Sequence, residues 1–299
     1  MRVSSNSQYM LGTYGLQTKQ AQLNHLQEQL STLRRVVRPS DDPVAATQAV
    51  SVAQSQSMNG QQIKNAGMAA SQLAITDTAL QSASTTISNI KTLAIQAGNG
   101  ALSNDNRRAI QNEMRERVKE LIGLANTSDG SGNYIFGGTR KDVAPFVQSG
   151  AANASYQGDQ QRQEVPIASG RELPITEVGN DIFTPGLWNT LASLDTALTQ
   201  GPAGSPTYSA DLQAVLSGLD KGLATLLAGQ ASVGGRQQEI DSLQQLGESM
   251  SVQYASQMSN LVDLDFAKAT SEFQMAMTAL QTSQKTYAQI GQLSLFNHI

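Results

Sequence analysis

Residues Tyr9–Val37 read YMLGTYGLQTKQAQLNHLQEQLSTLRRVV, and Tyr9, Gly12, Leu16, Lys19, Leu23, Leu26, Leu30, Leu33 and Val37 follow one another in alternating steps of three and four. This is the spacing of a coiled-coil seam, which returns one narrow stripe to the same side of an α-helix. Glutamine, asparagine and threonine fill much of the remainder, so the stripe suits a partner helix better than a broad core. A second seam lies near the other end: Phe266, Ala269, Phe273, Ala276, Leu280, Ser283, Tyr287 and Ile290. Two ordinary helices inside one domain are the alternative. Matching seams at both ends favour pairing with each other and with neighbouring copies.

Moving inward, Arg38-Pro-Ser-Asp-Asp-Pro43 interrupts the first seam. Pro39 disfavours helix at Arg38, Asp42 beside Asp41 can cap, and Pro43 fits a first helical position. The helix starting there is predicted to run to Ala97, before Gly98-Asn99-Gly100, a rod of about 80 Å. Another starts at the Ser103 cap, carries Ile110, Met114, Val118, Leu121 and Ala125 on one stripe, and stops at Thr127-Ser-Asp-Gly-Ser-Gly132. From Asn133 the period changes. Tyr134-Ile-Phe136 reads as a short β-type run, and apolar pairs among Gly, Pro and Asp read as a β-rich insert bounded near Lys141 and Phe183. Helix returns at Trp188 and, after the Gly201–Pro206 loop, again from Leu212 to Leu261.

Gly234-Gly235 lie inside that last stretch, where glycine costs about 1 kcal/mol relative to alanine. Either the helix breaks there or another helix comes close; the uninterrupted heptad phase favours close approach. Asp263 and Asp265 read as cap and hinge residues before the final seam. The expected fold is mainly α. It is a nested, coiled-coil-like bundle of long helices with a small β-rich insert, its termini forming a helical pair on assembly. The expected segments are 1–42, 43–140, 141–183, 184–262 and 263–299.

Composition narrows the function. Charged residues make up 15% of the 299, against about 25% in an average domain, and the net charge is -4. There is no basic footprint for nucleic acid and no polybasic run for a membrane surface. Cysteine is absent, which removes disulfides, thiolate metal sites and a cysteine nucleophile. No apolar run approaches the roughly 18 residues of a membrane span, and Met1-Arg-Val-Ser-Ser-Asn-Ser7 lacks the apolar core of a secretory signal. The two histidines, His25 and His298, lie in the terminal segments. His25 is off the seam and reads as a solvated helix residue, without the pocket and partners that a catalytic base needs. Asp41-Asp42, Asp263 with Asp265, and Tyr156-Gln-Gly-Asp159 read as cap, hinge and turn chemistry. No catalytic, cofactor-binding or metal-ligating residue is assigned, and the chain is expected not to be an enzyme.

Several short motifs resemble the flagellin family, in order and over nearly the whole chain outside the insert. They are Met1-Arg-Val-Ser-Ser-Asn6, Arg38-Pro-Ser-Asp-Asp-Pro-Val-Ala-Ala46, Leu102-Ser-Asn-Asp105, Leu124-Ala-Asn-Thr-Ser-Asp-Gly130, Asn133-Tyr-Ile-Phe-Gly-Gly138, Val233-Gly-Gly-Arg236, Asp263-Leu-Asp265 and Leu293-Ser-Leu-Phe296. The resemblance implies an extracellular part of the bacterial flagellum, exported unfolded by the flagellar type III pathway without a cleaved signal. It implies paired termini in a tubular inner core, long helices in the next shell and the insert facing outward. The implied partners are the K-type hook-associated protein, flagellin, further copies of the chain in a ring, and an export chaperone on the C-terminal segment; no nucleic acid, membrane or cofactor is implied. The implied role is an adaptor between hook and filament, with flagellin itself as the alternative. Flagellins usually carry an Asp-Asp-Ala-Ala-Gly-type stretch and end in Leu-Leu-Arg, whereas this chain has Ser40-Asp-Asp-Pro-Val44 and ends Leu295-Phe-Asn-His-Ile299. The expected assembly residues are Leu16, Leu23, Leu26, Leu30, Leu33, Val37, Phe266, Phe273, Leu280, Tyr287, Ile290, Leu295 and Phe296. Pro39, Asp41, Asp42, Pro43, Asp263 and Asp265 are the expected hinges and caps.

Overall fold

The structure, a computed structural model, describes residues 5–168, 170–200 and 206–296, with side chains over 7, 9–168, 170–199 and 207–289. Helices dominate: α1 (Ser5–Thr32), α2 (Pro43–Ala97), α3 (Asn104–Ala125), the short α4 (Gly179–Ile182), α5 (Pro185–Gln200), α6 (Pro206–Val262) and α7 (Phe266–Phe296). Between α3 and α4 lie two antiparallel hairpins. One pairs β1 (Phe146–Gln148) with β2 (Ala154–Tyr156); the other pairs β3 (Glu164–Ala168) with β4 (Arg171–Pro174), with a register shift between Pro166 and Ala168. The chain divides into two compact units, Met1–Met58 with Ser249–Ile299, and Asn59–Glu248. The terminal unit thus includes the first turns of α2 and the last of α6, beyond the 1–42 and 263–299 segments that the sequence suggests.

Local chemistry sets several boundaries. Asp42 Oδ1 accepts the Ala45 N–H at 2.9 Å ahead of Pro43, and Ser103 Oγ accepts the Asn106 N–H at 3.2 Å. These bonds satisfy donors that the first turn leaves without helical partners. Three boundaries differ from the sequence reading. Tyr134 and Gly137 make only isolated bridges, to Ser128 and Val178, rather than a strand. Helix α6 begins at Pro206, six residues before Leu212. Helix α1 ends at Thr32 rather than running on through Leu33 and Val37. Leu33 takes φ +55°, and the Arg34 N–H reaches back to the Gln29 carbonyl at 3.3 Å, which closes the helix as a Schellman motif with leucine in the usual glycine place.

The core of the Asn59–Glu248 unit lies among α2, α3, α5 and α6, with Leu80, Ile87, Met114, Leu121, Leu191 and Leu219 fully buried. Bidentate Arg115–Asp195 bonds of 2.6 and 2.9 Å join α3 to α5. The hairpin region enters this same core. Phe146 and Phe183 are buried; Phe183 meets Phe136 edge-on at 5.3 Å, and Phe146 lies 5.6 Å from Trp188. The region read as a β-rich insert is therefore part of this core, because its first strand and the residue after α4 supply part of the aromatic cluster.

The close-approach glycines are also elsewhere. An added Cβ at Gly234 or Gly235 meets nothing within 4 Å, whereas one at Gly218 would fall 2.7 Å from Thr190 Cγ2 and 3.1 Å from Thr190 Cβ. Gly222 is blocked by Leu187 and Gly247 by Ile63. Helix α6 does continue through Gly234-Gly235, but no part of the described chain lies against them. Gly235→Ala is expected to stabilise the chain by up to about 1 kcal/mol through helix propensity. Gly218→Ala should cost about 1–3 kcal/mol, because Thr190 Cβ itself lies 3.1 Å from the new methyl and no rotamer change moves it. Urea unfolding of both variants checks the pair, and equal effects would mean that α5 and α6 relax apart at no cost.

Candidate assembly surface

In the terminal unit α1 and α7 lie antiparallel and in contact along their lengths. Tyr9 and Tyr287 meet at 5.4 Å between ring centroids, and Gly12 faces the Tyr287 ring, which leaves no room for a side chain. Leu26 and Leu280 are buried; Leu16, Leu23, Leu30, Phe273 and Tyr287 are half-buried. Phe266, the first residue of α7, is exposed. The side chains of Ile290, Leu295 and Phe296 lie outside the described residues.

Beyond α1 the connector folds back on the segment before α7. The Arg35 N–H donates to the Val262 carbonyl at 2.8 Å, and the Leu264 N–H to the Leu33 carbonyl at 3.1 Å, flanking an Arg34–Asp263 antiparallel bridge. Arg35 Nη2 also donates to the Leu261 carbonyl at 2.7 Å, and its Nη1 to Asp42 at 3.0 Å. Leu33, read as a seam residue, is exposed and outside the helix; Val37 is half-buried, and the buried side chain of this turn is Val36. Val36 and Arg35 escape a periodicity search because the turn ends the helical phase. Pro39 is exposed. His25, expected to be solvated, is half-buried with Nε2 3.8 Å from Asp41 Oδ1. Asp265 Oδ1 accepts the Lys268 N–H at 3.1 Å at the start of α7.

Asp41 Oδ2 accepts the backbone N–H groups of Arg38 and Val37 at 2.8 and 3.1 Å. The Arg38 N–H chiefly, then that of Val37 and the nearby His25 and Arg38 side chains, hold the Asp41 carboxyl below its ordinary value of 3.8. The Ala45 N–H and then the Arg35 guanidinium lower Asp42 likewise. Folded values below unfolded ones mean that the unfolded state binds more protons, so this contribution is full above pH 3.8 and is lost as pH falls through 3.8 toward the lower folded values. The protection of the Val37, Arg38 and Ala45 amides, measured against the intrinsic exchange rate at each pH, should fall on acidification through that window. Protection that survives to about pH 2 would show that the two carboxylates do not hold the turn.

The distribution of apolar side chains sets this unit apart. Among the described residues its buried ones are only Leu26, Val36, Ala45, Ala269 and Leu280. Tyr9, Met10, Leu11, Tyr14, Val50 and Val252 are each at least 60% exposed in the same unit. A unit of this length normally closes a core of its own; here apolar side chains are left outside. Among the described residues no group of acidic or histidine side chains could hold a metal ion, and no helix is long and apolar enough to cross a membrane.

The family defined by the bacterial flagellin N-terminal helical region matches residues 3–141. Flagellar hook-associated protein 3 of Escherichia coli (strain K12) is 33% identical over 313 residues, covering 99% of each chain. Flagellin B of Helicobacter pylori (strain ATCC 700392 / 26695) is also 33% identical, but over 113 residues, 38% of this chain and 22% of that one. In fold, the chain resembles a solved structure of a flagellar hook-associated protein from Vibrio parahaemolyticus. The TM-score is 0.68 at 21% identity, covering 75% of this chain and 100% of that one. Matched over nearly all of both lengths where the flagellin match is partial, the chain belongs to the flagellar hook-associated protein 3 family of flagellin-like proteins.

Proposed function

We propose that the chain is a structural subunit of the bacterial flagellum that acts as the adaptor at the junction of hook and filament. The observation that carries the reading is the terminal unit, which pairs α1 with α7 yet leaves much of its apolar surface open. Such a surface is completed by neighbours. One neighbour is the K-type hook-associated protein, another is flagellin, and further copies of the chain close a ring. The assembly residues are Leu16, Leu23, Leu26, Leu30, Phe266, Phe273, Leu280 and Tyr287, with Ile290, Leu295 and Phe296 continuing the α7 side. Asp41, Asp42, Asp263 and Asp265 set the turns between the assembly helices and the long ones. The chain leaves the cell by flagellar type III export, with a chaperone on its C-terminal segment. Its work is mechanical, matching a bending hook to a stiffer filament, and it turns over no substrate.

Antibody labelling of isolated flagella in the electron microscope tests the placement. A band at the distal end of the hook is the expected result. Label along the whole filament would make the chain a flagellin, and diffuse cytoplasmic label would exclude a flagellar role. Turnover of a protease or glycosidase substrate by the purified chain would overturn the non-catalytic reading.

A further inference from the structure

The chain has nine methionines and no cysteine, and the methionines are unevenly placed. Met1, Met10, Met58, Met250, Met258, Met275 and Met277 belong to the terminal unit, although it is the smaller of the two; only Met68 and Met114 belong to the other. Met114 is completely buried, as a core methionine should be. Met10, Met58, Met275 and Met277 are 64, 54, 61 and 41% exposed. Unbranched, polarisable side chains re-pack against differently shaped neighbours, which suits a surface that must meet unlike proteins on its two sides. The same thioethers face solvent in the lone subunit and are readily oxidised, as is that of Met68, 61% exposed in the other unit.

We propose that Met10 on α1, Met58 on α2 and Met275 and Met277 on α7 are separate oxidation sites whose sulfoxides switch off the assembly surface of the unincorporated subunit, an inference that rests on the terminal unit being that surface. The oxidant is a peroxide. A lone pair on the methionine Sδ attacks one peroxide oxygen, the O–O bond breaks and an S–O bond forms. The sulfur is oxidised by two electrons, and the departing hydroxide takes up the remaining proton to leave as water. The sulfoxide is polar and chiral where the thioether was apolar and pliable. A neighbour packing on it would have to bury an S–O dipole without a partner. Incorporation removes these side chains from solvent, so the subunit is sensitive before assembly and protected after it.

The test uses the full-length chain and hydrogen peroxide. Peptide mass mapping should show one oxygen gained at each of the four residues while Met114 is unchanged. Treated and untreated chains are then added to hook–basal bodies from cells lacking this chain, and retention is read by co-sedimentation. Untreated chain should be retained, and treated chain should fall to background. Treatment with methionine sulfoxide reductases should restore it. The combined variant M10L, M58L, M275L and M277L, which keeps Met68, should be retained with or without peroxide. Retention of the oxidised chain at the untreated level overturns the inference, as does loss of the leucine variant on peroxide treatment. Failure of the untreated chain to be retained would instead overturn the proposed function.

Discussion

Arg236→Ala is expected to destabilise the Asn59–Glu248 unit by about 3 kcal/mol or more, the cost of leaving a buried charge without its partner. Arg236 stands on α6, one residue after the two open glycines, and its guanidinium meets the Glu177 carboxylate while Nη1 donates to the Pro174 carbonyl at 2.8 Å. The Glu177 side chain is only 5% exposed, so its charge depends on this contact and on Arg162 Nε at 3.5 Å. Burial, and then the Arg162 charge, pull the Arg236 guanidinium below its ordinary value. The pair fastens the end of the hairpin region to α6, aided by the bidentate Arg171–Glu239 bonds of 2.7 and 3.0 Å. At roughly 2–4 °C per kcal/mol for a unit of this size, the melting point should fall by about 10 °C. Arg236→Lys should be intermediate, because an ammonium cannot serve both acceptors with a planar fork. Replacing both partners by apolar residues, Arg236→Met with Glu177→Leu, should recover much of the loss. Calorimetry of the four chains decides; a single-variant loss below about 1 kcal/mol would mean that water reaches Glu177.

Leu30→Asp should separate assembly from folding. Leu30 is half-buried on the α1 side of the terminal pair, and Leu23 is equivalent one heptad earlier. Neither belongs to the unit that holds most of the core, so the main melting transition should stay where it is. In the assembled ring the carboxylate would be buried without a partner, costing several kcal/mol, besides about 2 kcal/mol of lost apolar burial. Every copy repeats the defect, so retention at the hook should fail, flagellin should appear in the medium and motility should cease. Exposed Gln27→Asp should be tolerated. A motility halo, secreted protein on a gel and the melting curve of each variant give the comparison. If Leu30→Asp melts the whole chain early, α1 is part of an intramolecular core and the reading of its seam as an assembly surface is wrong.

Much of this architecture is legible in local chemistry. The alternating three-and-four spacing marks α1 and α7 as narrow-faced helices, because periodicity states which side of a helix is apolar regardless of what it meets. Asp42 with Pro43, and Ser103, mark helix starts because a cap completes itself within three residues.

Three features needed the tertiary structure. The heptad continues past Thr32, yet α1 stops there, because Leu33–Arg35 pair with Val262–Leu264, more than two hundred positions away and invisible to any local window. The hairpin region looks separable, since short strands among glycines and prolines carry no sign of what they pack on; Phe146 and Phe183 become core only when Phe136 and Trp188 stand beside them. The conspicuous Gly234-Gly235 lies open, while Gly218, Gly222 and Gly247 carry the close contacts. A missing side chain has meaning only relative to the atom that would have struck it, and that atom belongs to another part of the chain.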